Sequence, residues 1–475
     1  MRTINRIKNT GYTCLISLLI ISCQKFVTVD PPVSSLVTAS VFNNDAAATA
    51  AQIEIYSKMA SAGESYHVSQ NTGLLGDELT DYSGITPNIL FYQNTMDVVT
   101  NLGPWQNAYN YIYQANSIIE GLQNVNGVSP AVKQQLTGES KFIRAFWSFY
   151  LANCYGDIPI VTTTDYSINN HLVRSSKPQV YQQMVEDLKE AQATLNSGFV
   201  DASDTSVYPI ATAERVRPTS WAATALLARV YLYLGKYDSA EIEATAVINN
   251  TSMFTLLPDL NQVFLKNSFE TIWQLATPMP ALYNNTYDGG AYILIAAPVD
   301  VAASPQLLGS FETDDKRKSN WIGSVVTSSP IDTFYFPYKY KARNGGNVSE
   351  YVMVLRLAEQ YLIRAESRAQ RGVNLNESID DLNTIRRRAG LSDYSGPSDK
   401  DSVLASILHE RQVELFTEWG NRWFDLIRTG NINSVMSVVA PVKGSTWATD
   451  GHQAFYPIWQ SEIGLNSHLT QNAGY

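Results

Sequence analysis

Two adjacent carboxylate pairs, Asp77-Glu78 and Asp314-Asp315, are of the type that could break bonds. Paired carboxyls serve as acid and base on a glycosidic bond, and clustered carboxylates can also hold calcium. Glycoside cleavage needs the two groups at a set separation across a sugar ring. Sequence neighbours do not establish that separation, so these pairs read as helix caps and solvated loop charges. His409-Glu410 begins like a zinc-binding helix, but Arg411-Gln412-Val413 follows and the second histidine is missing. The other histidines are scattered, and there is neither a Gly-x-Ser-x-Gly elbow nor a phosphate-binding glycine loop. No catalytic residue, metal or cofactor is therefore expected. The run Glu410-Arg411, Glu414, Glu418, Arg422, Asp425, Arg428 is spaced by threes and fours, which predicts ion pairs that lock neighbouring helices.

Aromatic residues outside the helical patterns point to binding instead. Tyr82, Phe91 and Tyr92 follow Asp77 and Asp81. Tyr283, Tyr287 and Tyr292 lie among Asn284, Asn285 and Asp288. Trp321 follows Asp314, Asp315 and Arg317. A sugar presents a C–H face that stacks on aromatic rings and a hydroxyl rim that bonds to Asp, Asn, Gln and Arg. Tyr82, Tyr92, Tyr283, Tyr287 and Trp321 are the ligand-binding candidates. Trp105, Trp147, Trp221, Trp419 and Trp423 sit on helical faces and are assigned to the core.

The elements that must position these residues are mainly helical. Trp221 to Val247 reads as two helices broken at Gly235, with Ala225, Ala228, Tyr231 and Leu232 on one face and Ala240, Ala244 and Val247 on the other. Small alanines let the axes approach, and the spacing matches much of a tetratricopeptide helix–turn–helix unit. Helical spacing recurs over 104–123, 139–155, 179–195, 354–370, 376–389 and 401–418, and again through Trp423, Phe424 and Ile427. One such pair cannot bury its own apolar face, so about four stacked pairs are expected. The stretches 61–103 and 250–350 lack helical periodicity and are read as long irregular binding loops.

The amino terminus sets the compartment. Arg2, Arg6 and Lys8 precede the low-polarity run 11–21, which is too short to span a bilayer. Ile20-Ile21-Ser22-Cys23 resembles the lipobox of bacterial lipoproteins, so residues 1–22 read as a signal peptide and Cys23 as the lipidation site. Residues 23–40 follow as a lipidated tether containing Pro31-Pro32, ahead of one domain over 41–475. The chain has a net charge of −10, which argues against nucleic acid. Of three cysteines only Cys154 lies in that domain, in an apolar helical pattern, and it reads as buried and inert.

Several segments together resemble the SusD/RagB family of outer-membrane nutrient-binding lipoproteins. They are Arg144 to Ile160, ending in Tyr155-Gly156-Asp157-Ile158-Pro159; Arg217-Pro218-Thr219 leading into Ala225 to Leu232; Leu355 to Glu366 with Ile385 to Gly390; Glu410-Arg411 with Gly420 to Arg428; and Tyr456-Pro457-Ile458 with Leu469 to Tyr475. The resemblance implies a non-enzymatic protein, lipid-anchored at the outer membrane and facing outward. Such a protein captures oligosaccharides over a TonB-dependent SusC-like transporter. Peptide capture, or a protein-binding scaffold without sugar affinity, are the alternatives that the residues leave open.

Overall fold

The helices start and stop where local chemistry dictates. In the computed structural model, which describes residues 41–203, 206–278 and 282–475, the chain begins with α1 (Asp45–Ser61), α2 (Glu64–Leu75), α3 (Thr86–Tyr92) and α4 (Trp105–Leu122). The next, α5 (Pro130–Tyr155), begins nine residues before the apolar spacing suggested. Pro130 occupies the first helical turn, and Val132 and Leu136 extend the buried face. Gly156, at φ +76°, ends the helix. After α6 (Tyr166–Asn169) come α7 (Lys177–Thr194), α8 (Ser220–Tyr233) and α9 (Tyr237–Asn249), the last two split at Gly235 as expected.

The later helices are α10 (Tyr287–Tyr292), α11 (Pro305–Ser310), α12 (Lys316–Trp321), α13 (Leu357–Arg371), α14 (Leu375–Arg388), α15 (Lys400–Leu415), α16 (Asn421–Arg428), α17 (Ile432–Val442) and α18 (Gln460–Leu465). Helices α4, α5, α7, α8, α9, α13 and α14 pack each on the next, and α15 closes on α13 and α14. This is the stacked-pair scaffold that the alanine spacing predicts. Ala222, Ala223, Ala225, Ala228, Ala240 and Ala244 are buried where α8 meets its neighbours. An aromatic core of Phe142, Phe146, Trp147, Tyr150, Trp273 and Trp419 fills the space beneath, with edge-on and tilted contacts at centroid distances near 5–6 Å. Trp221 is only half-buried. Cys154 is fully buried, and burial pushes its thiol up to about 12, so it is unreactive.

The two stretches read as irregular are not structureless. Residues 61–103 contain α2 and α3. Helix α2 escaped the periodicity argument because Glu64, Ser65, Ser69, Gln70, Thr72 and Gly73 are buried along with Tyr66, Val68, Leu74 and Leu75, so its buried surface shows no regular apolar spacing. Residues 250–350 carry short helices and strands. Three antiparallel pairs form: β1 (Leu79–Asp81) with β3 (Val301–Ala303), β2 (Thr271–Leu275) with β6 (Val352–Arg356), and β4 (Ile322–Val326) with β5 (Thr333–Pro337). Residues 354–356, expected to be helical, belong to β6. There the apolar run is buried on both faces, which periodicity cannot tell from a buried helix.

The charged run does lock helices, and it does so in the interior. Arg317 is fully buried and donates to Asp315 (2.8 Å), Glu410 (2.5 Å) and Glu414 (3.1 Å). Arg356 donates to Glu414 (2.6 Å), Glu418 (2.7 Å) and Glu270 (3.1 Å). Arg388 bonds to Glu270 (2.8 Å) and Glu414. Lys339 donates to the carbonyls of Glu414 and Phe416 at 2.9 and 2.8 Å and pairs with Glu418. The network fastens α12, β6 and the segment after β5 to α14 and α15. Asp77 and Asp315 are thus buried partners of Arg422 (2.6 Å) and Arg317, not solvated loop charges, although Asp315 does also cap α12. The segments read as signal peptide and tether, with Cys23, lie outside the described residues. Among those described, no helix is long and apolar enough to cross a membrane.

Candidate functional site

Strand pairing brings the two long stretches together. Leu79 lies opposite Ala303 and Asp81 opposite Val301, and the ladder continues as Tyr82 N–H donates to the Asp300 carbonyl at 2.7 Å. This fixes the start of the 82–103 segment against the 283–300 segment. Between them opens a cleft of about 490 Å³. Its walls come from α2 (Glu64, His67, Gln70), from the α3 segment (Ser83, Asn88, Phe91), from 101–107 and from Tyr287, Val299 and Asp300.

Asp300 organises the cleft. Its carboxylate accepts from Gln70 Nε2 at 2.9 and 3.0 Å, from Asn88 Nδ2 at 2.8 Å and from the Tyr66 hydroxyl. One carboxylate therefore ties α2 and α3 to the strand edge. Asp300→Asn removes one acceptor and sets an N–H against these donors. The variant is expected to lose about 1–2 kcal/mol of stability, read as a lower urea midpoint at unchanged slope. A midpoint equal to that of the unaltered protein would refute this role for Asp300.

The aromatic faces are positioned by close approach to glycines. Tyr287 lies on Gly63, where an added Cβ would sit 2.5 Å from the ring, and Gly63 has φ +65°. Tyr283 lies on Gly290 in the same way, at 2.1 Å. The Tyr287 ring meets Tyr66 at 5.3 Å, His67 at 5.4 Å and Tyr283 edge-on at 5.3 Å. Tyr283 and Tyr287 are both half-buried, so part of each side chain stays exposed.

The sequence candidates divide accordingly. Tyr287 lines the cleft and Tyr283 adjoins it. Tyr82 is exposed beside Ser83 at the rim, edge-on to Phe334 at 5.6 Å. Tyr92 is half-buried with the Lys443 ammonium 5.3 Å from its ring, and does not line the cleft. Trp321 is a correction. It is wholly buried, its indole N–H donates to the Leu260 carbonyl at 3.0 Å, and Phe264, Phe416 and Lys339 surround it, so it cannot meet a ligand. Phe91 and Tyr292 are also buried. Sequence reasoning missed Tyr66, His67, Gln70, Asn88 and Asp300; the one available signal was the density of Asn, Gln and aromatic residues over 64–93.

Among the described residues no lysine or arginine lines the cleft, and no His, Cys, Asp and Glu side chains gather to hold a metal. The arrangement offers ring faces, amides and carboxyls without a nucleophile–base pair. That equipment suits binding.

A stacked helical scaffold with an aromatic, amide-lined cleft between inserted segments defines the class: a helical-repeat ligand-binding protein. The comparisons narrow it. The sequence profile of the SusD family matches residues 309–475, and the profile described as "Starch-binding associating with outer membrane" matches residues 33–232. The chain belongs to the SusD-like family. It is 25% identical over 376 residues to SusD-like protein P2 of Formosa agariphila, covering 68% of this chain and 70% of that protein. It is 24% identical over 463 residues to a SusD-like protein of Bacteroides ovatus, covering 86% and 80%. Among solved structures, a SusD superfamily protein from Bacteroides vulgatus superposes with a TM-score of 0.78 at 23% identity, over 91% of this chain and 100% of that one. A putative sugar binding protein from the same species gives 0.72 at 22% identity, over 91% and 99%.

Proposed function

We propose that this protein captures oligosaccharides in the cleft between α2, α3 and α10 and passes them to a TonB-dependent SusC-like transporter. The observation that carries the reading is the placement of half-exposed Tyr287 and Tyr283 beside a rim of amides and carboxyls, where the two long insertions meet. A pyranose would lay its C–H face on Tyr287 while its hydroxyls bond to Asn71, Asn88, Asn101 and Asn107. The match to the starch-binding profile and the likeness to the putative sugar binding protein of B. vulgatus support a sugar ligand. Tyr82 would extend the site at the rim. Lipid on Cys23 would hold the protein at the outer membrane, facing outward. The role is that of a binding protein, not an enzyme.

Oligosaccharide arrays probed with the purified protein test this. A neutral oligosaccharide is expected to bind, and Tyr287→Ala is expected to weaken it about tenfold, roughly 1.4 kcal/mol. Tyr166→Ala, at an exposed tyrosine that does not line the cleft, should leave affinity unchanged. Binding that is indifferent to Tyr287, or absent for every glycan while a peptide binds, would overturn the reading.

A further inference from the structure

The interior of this protein balances its charges with care. Buried Asp187 faces Arg144, Glu139 faces Arg217, Glu359 faces Arg229 and Asp425 faces Arg411, all at 2.5–2.6 Å. Glu64 departs from that rule, as Asp288 does, but of the two only Glu64 lines the cleft. It sits at the start of α2 with only 3% of its surface exposed, and it lines the cleft. Its Oε1 accepts from Asn107 Nδ2 at 2.8 Å and from the Tyr111 hydroxyl at 3.0 Å, both neutral donors. Both hydrogen bonds that Glu64 receives from the described residues fall on Oε1, and no lysine or arginine among them lines the cleft. Asp300, the other carboxylate there, has both oxygens occupied by Tyr66, Gln70 and Asn88.

A buried carboxyl without a counter-cation is costly and responds by holding its proton. Burial pushes Glu64 up to about 7, with the Tyr111 and Asn107 hydrogen bonds opposing. A missing counter-ion can come from a ligand. The half-buried Tyr287 lines the same space, with the buried rings of Tyr66 and Phe91 behind it, and aromatic rings attract ammonium groups. A uronate or sulfate ester would instead meet two carboxyls and no cation.

We propose that Glu64 forms an amine subsite in the cleft, so that the preferred ligand is an oligosaccharide bearing a free amino sugar. The inference rests on the oligosaccharide reading above and specifies its substrate class. The ligand ammonium donates to Glu64 Oε2 and supplies the charge that the protein withholds. An N-acetylated sugar carries an acetyl group in place of the charge, and an acidic sugar is repelled.

Calorimetric titration with three trisaccharides decides the matter: β-1,4-linked glucosamine, its N-acetylated counterpart and maltotriose. The glucosamine trisaccharide is expected to bind at least about tenfold tighter than the N-acetylated one, the size of one charge-assisted hydrogen bond. Glu64→Gln should erase that preference, leaving the two glucosamine-derived trisaccharides with affinities within about twofold of each other. Equal affinity for all three, each weakened about tenfold in Tyr287→Ala, overturns the amine subsite and leaves the oligosaccharide reading standing. A preference that survives Glu64→Gln also overturns it. If no trisaccharide binds and a lysine-containing tripeptide does, both fall. Should Glu64→Gln fail to fold, the comparison of free and acetylated amine in the unaltered protein decides alone.

Discussion

Glu414→Gln is expected to destabilise the protein by about 3–5 kcal/mol, the cost of breaking a buried ion pair by removing one partner. Glu414 is wholly buried, and three guanidinium groups converge on it: Arg356 at 2.6 Å and Arg388 on Oε1, and Arg317 at 3.1 Å on Oε2. Burial alone would raise this carboxyl, but Arg388, Arg356 and Arg317 outweigh it and hold it far below the usual range. A glutamine has the same shape and removes the charge. Its amide nitrogen turns one acceptor into a donor that faces an arginine. The site then holds an unbalanced positive charge away from water, where screening is weak. Because the network pins β6, α12 and the segment after β5 to α14 and α15, the loss also loosens the insertion that carries the cleft. Urea unfolding measures the effect, with Arg387→Ala as control. Arg387 pairs with Asp393 on the open surface, and its removal should leave the midpoint in place. A Glu414→Gln midpoint within experimental error of the control would sink the claim that the network is a structural centre.

The scaffold was legible because stacked helices repeat a simple demand. Ala225, Ala228, Ala240 and Ala244 recur at 3.6-residue spacing since only small side chains let α8 and α9 approach. Gly235 marks the break because it must take a positive φ. The ion-pair reading of Glu410 to Arg428 came from the same periodicity. Its burial did not, because the partners Arg317, Arg356 and Glu270 lie on distant segments. Trp321 shows the converse failure. It stands in a poorly periodic stretch among charged residues, which looks like a binding loop, yet Arg317 and Lys339 beside it are themselves interior groups that the network neutralises. The cleft was half visible. Tyr287 and Tyr283 stand out by residue type. Asp300 and Glu64 act through partners more than forty positions away, and α2 buries serine, glutamine and threonine, which carry no hydrophobic signature.

Asp288→Asn is expected to stabilise the protein at pH 7 by up to about 2–3 kcal/mol more than at pH 5. Asp288 is buried on α10, next to the Tyr287 of the cleft. Its Oδ1 accepts from Ser65 Oγ at 3.0 Å, while Oδ2 finds no donor. Burial pushes the group up to about 7, the Ser65 hydrogen bond opposing. In the unfolded chain an aspartate titrates near 4. Below that value both states keep the proton and the contribution to stability is fully present. As pH rises toward 7 the unfolded chain sheds its proton while the folded protein retains it, and stability falls by up to about 1.4 kcal/mol per pH unit. The loss is complete once pH passes the folded value. Asparagine is the uncharged mimic of the protonated form and has no such dependence, so the gap between variant and unaltered protein must open between pH 5 and pH 7. Lys339 and Lys443, which burial pushes down to about 8 and about 7, act in the opposite sense, but they are common to both proteins and cancel in the difference. Urea midpoints at the two pH values give the answer: a gap that stays constant, or narrows toward pH 7, would show that Asp288 is already ionised in the folded protein and that α10 is held to α2 by a charge, not by a protonated acid.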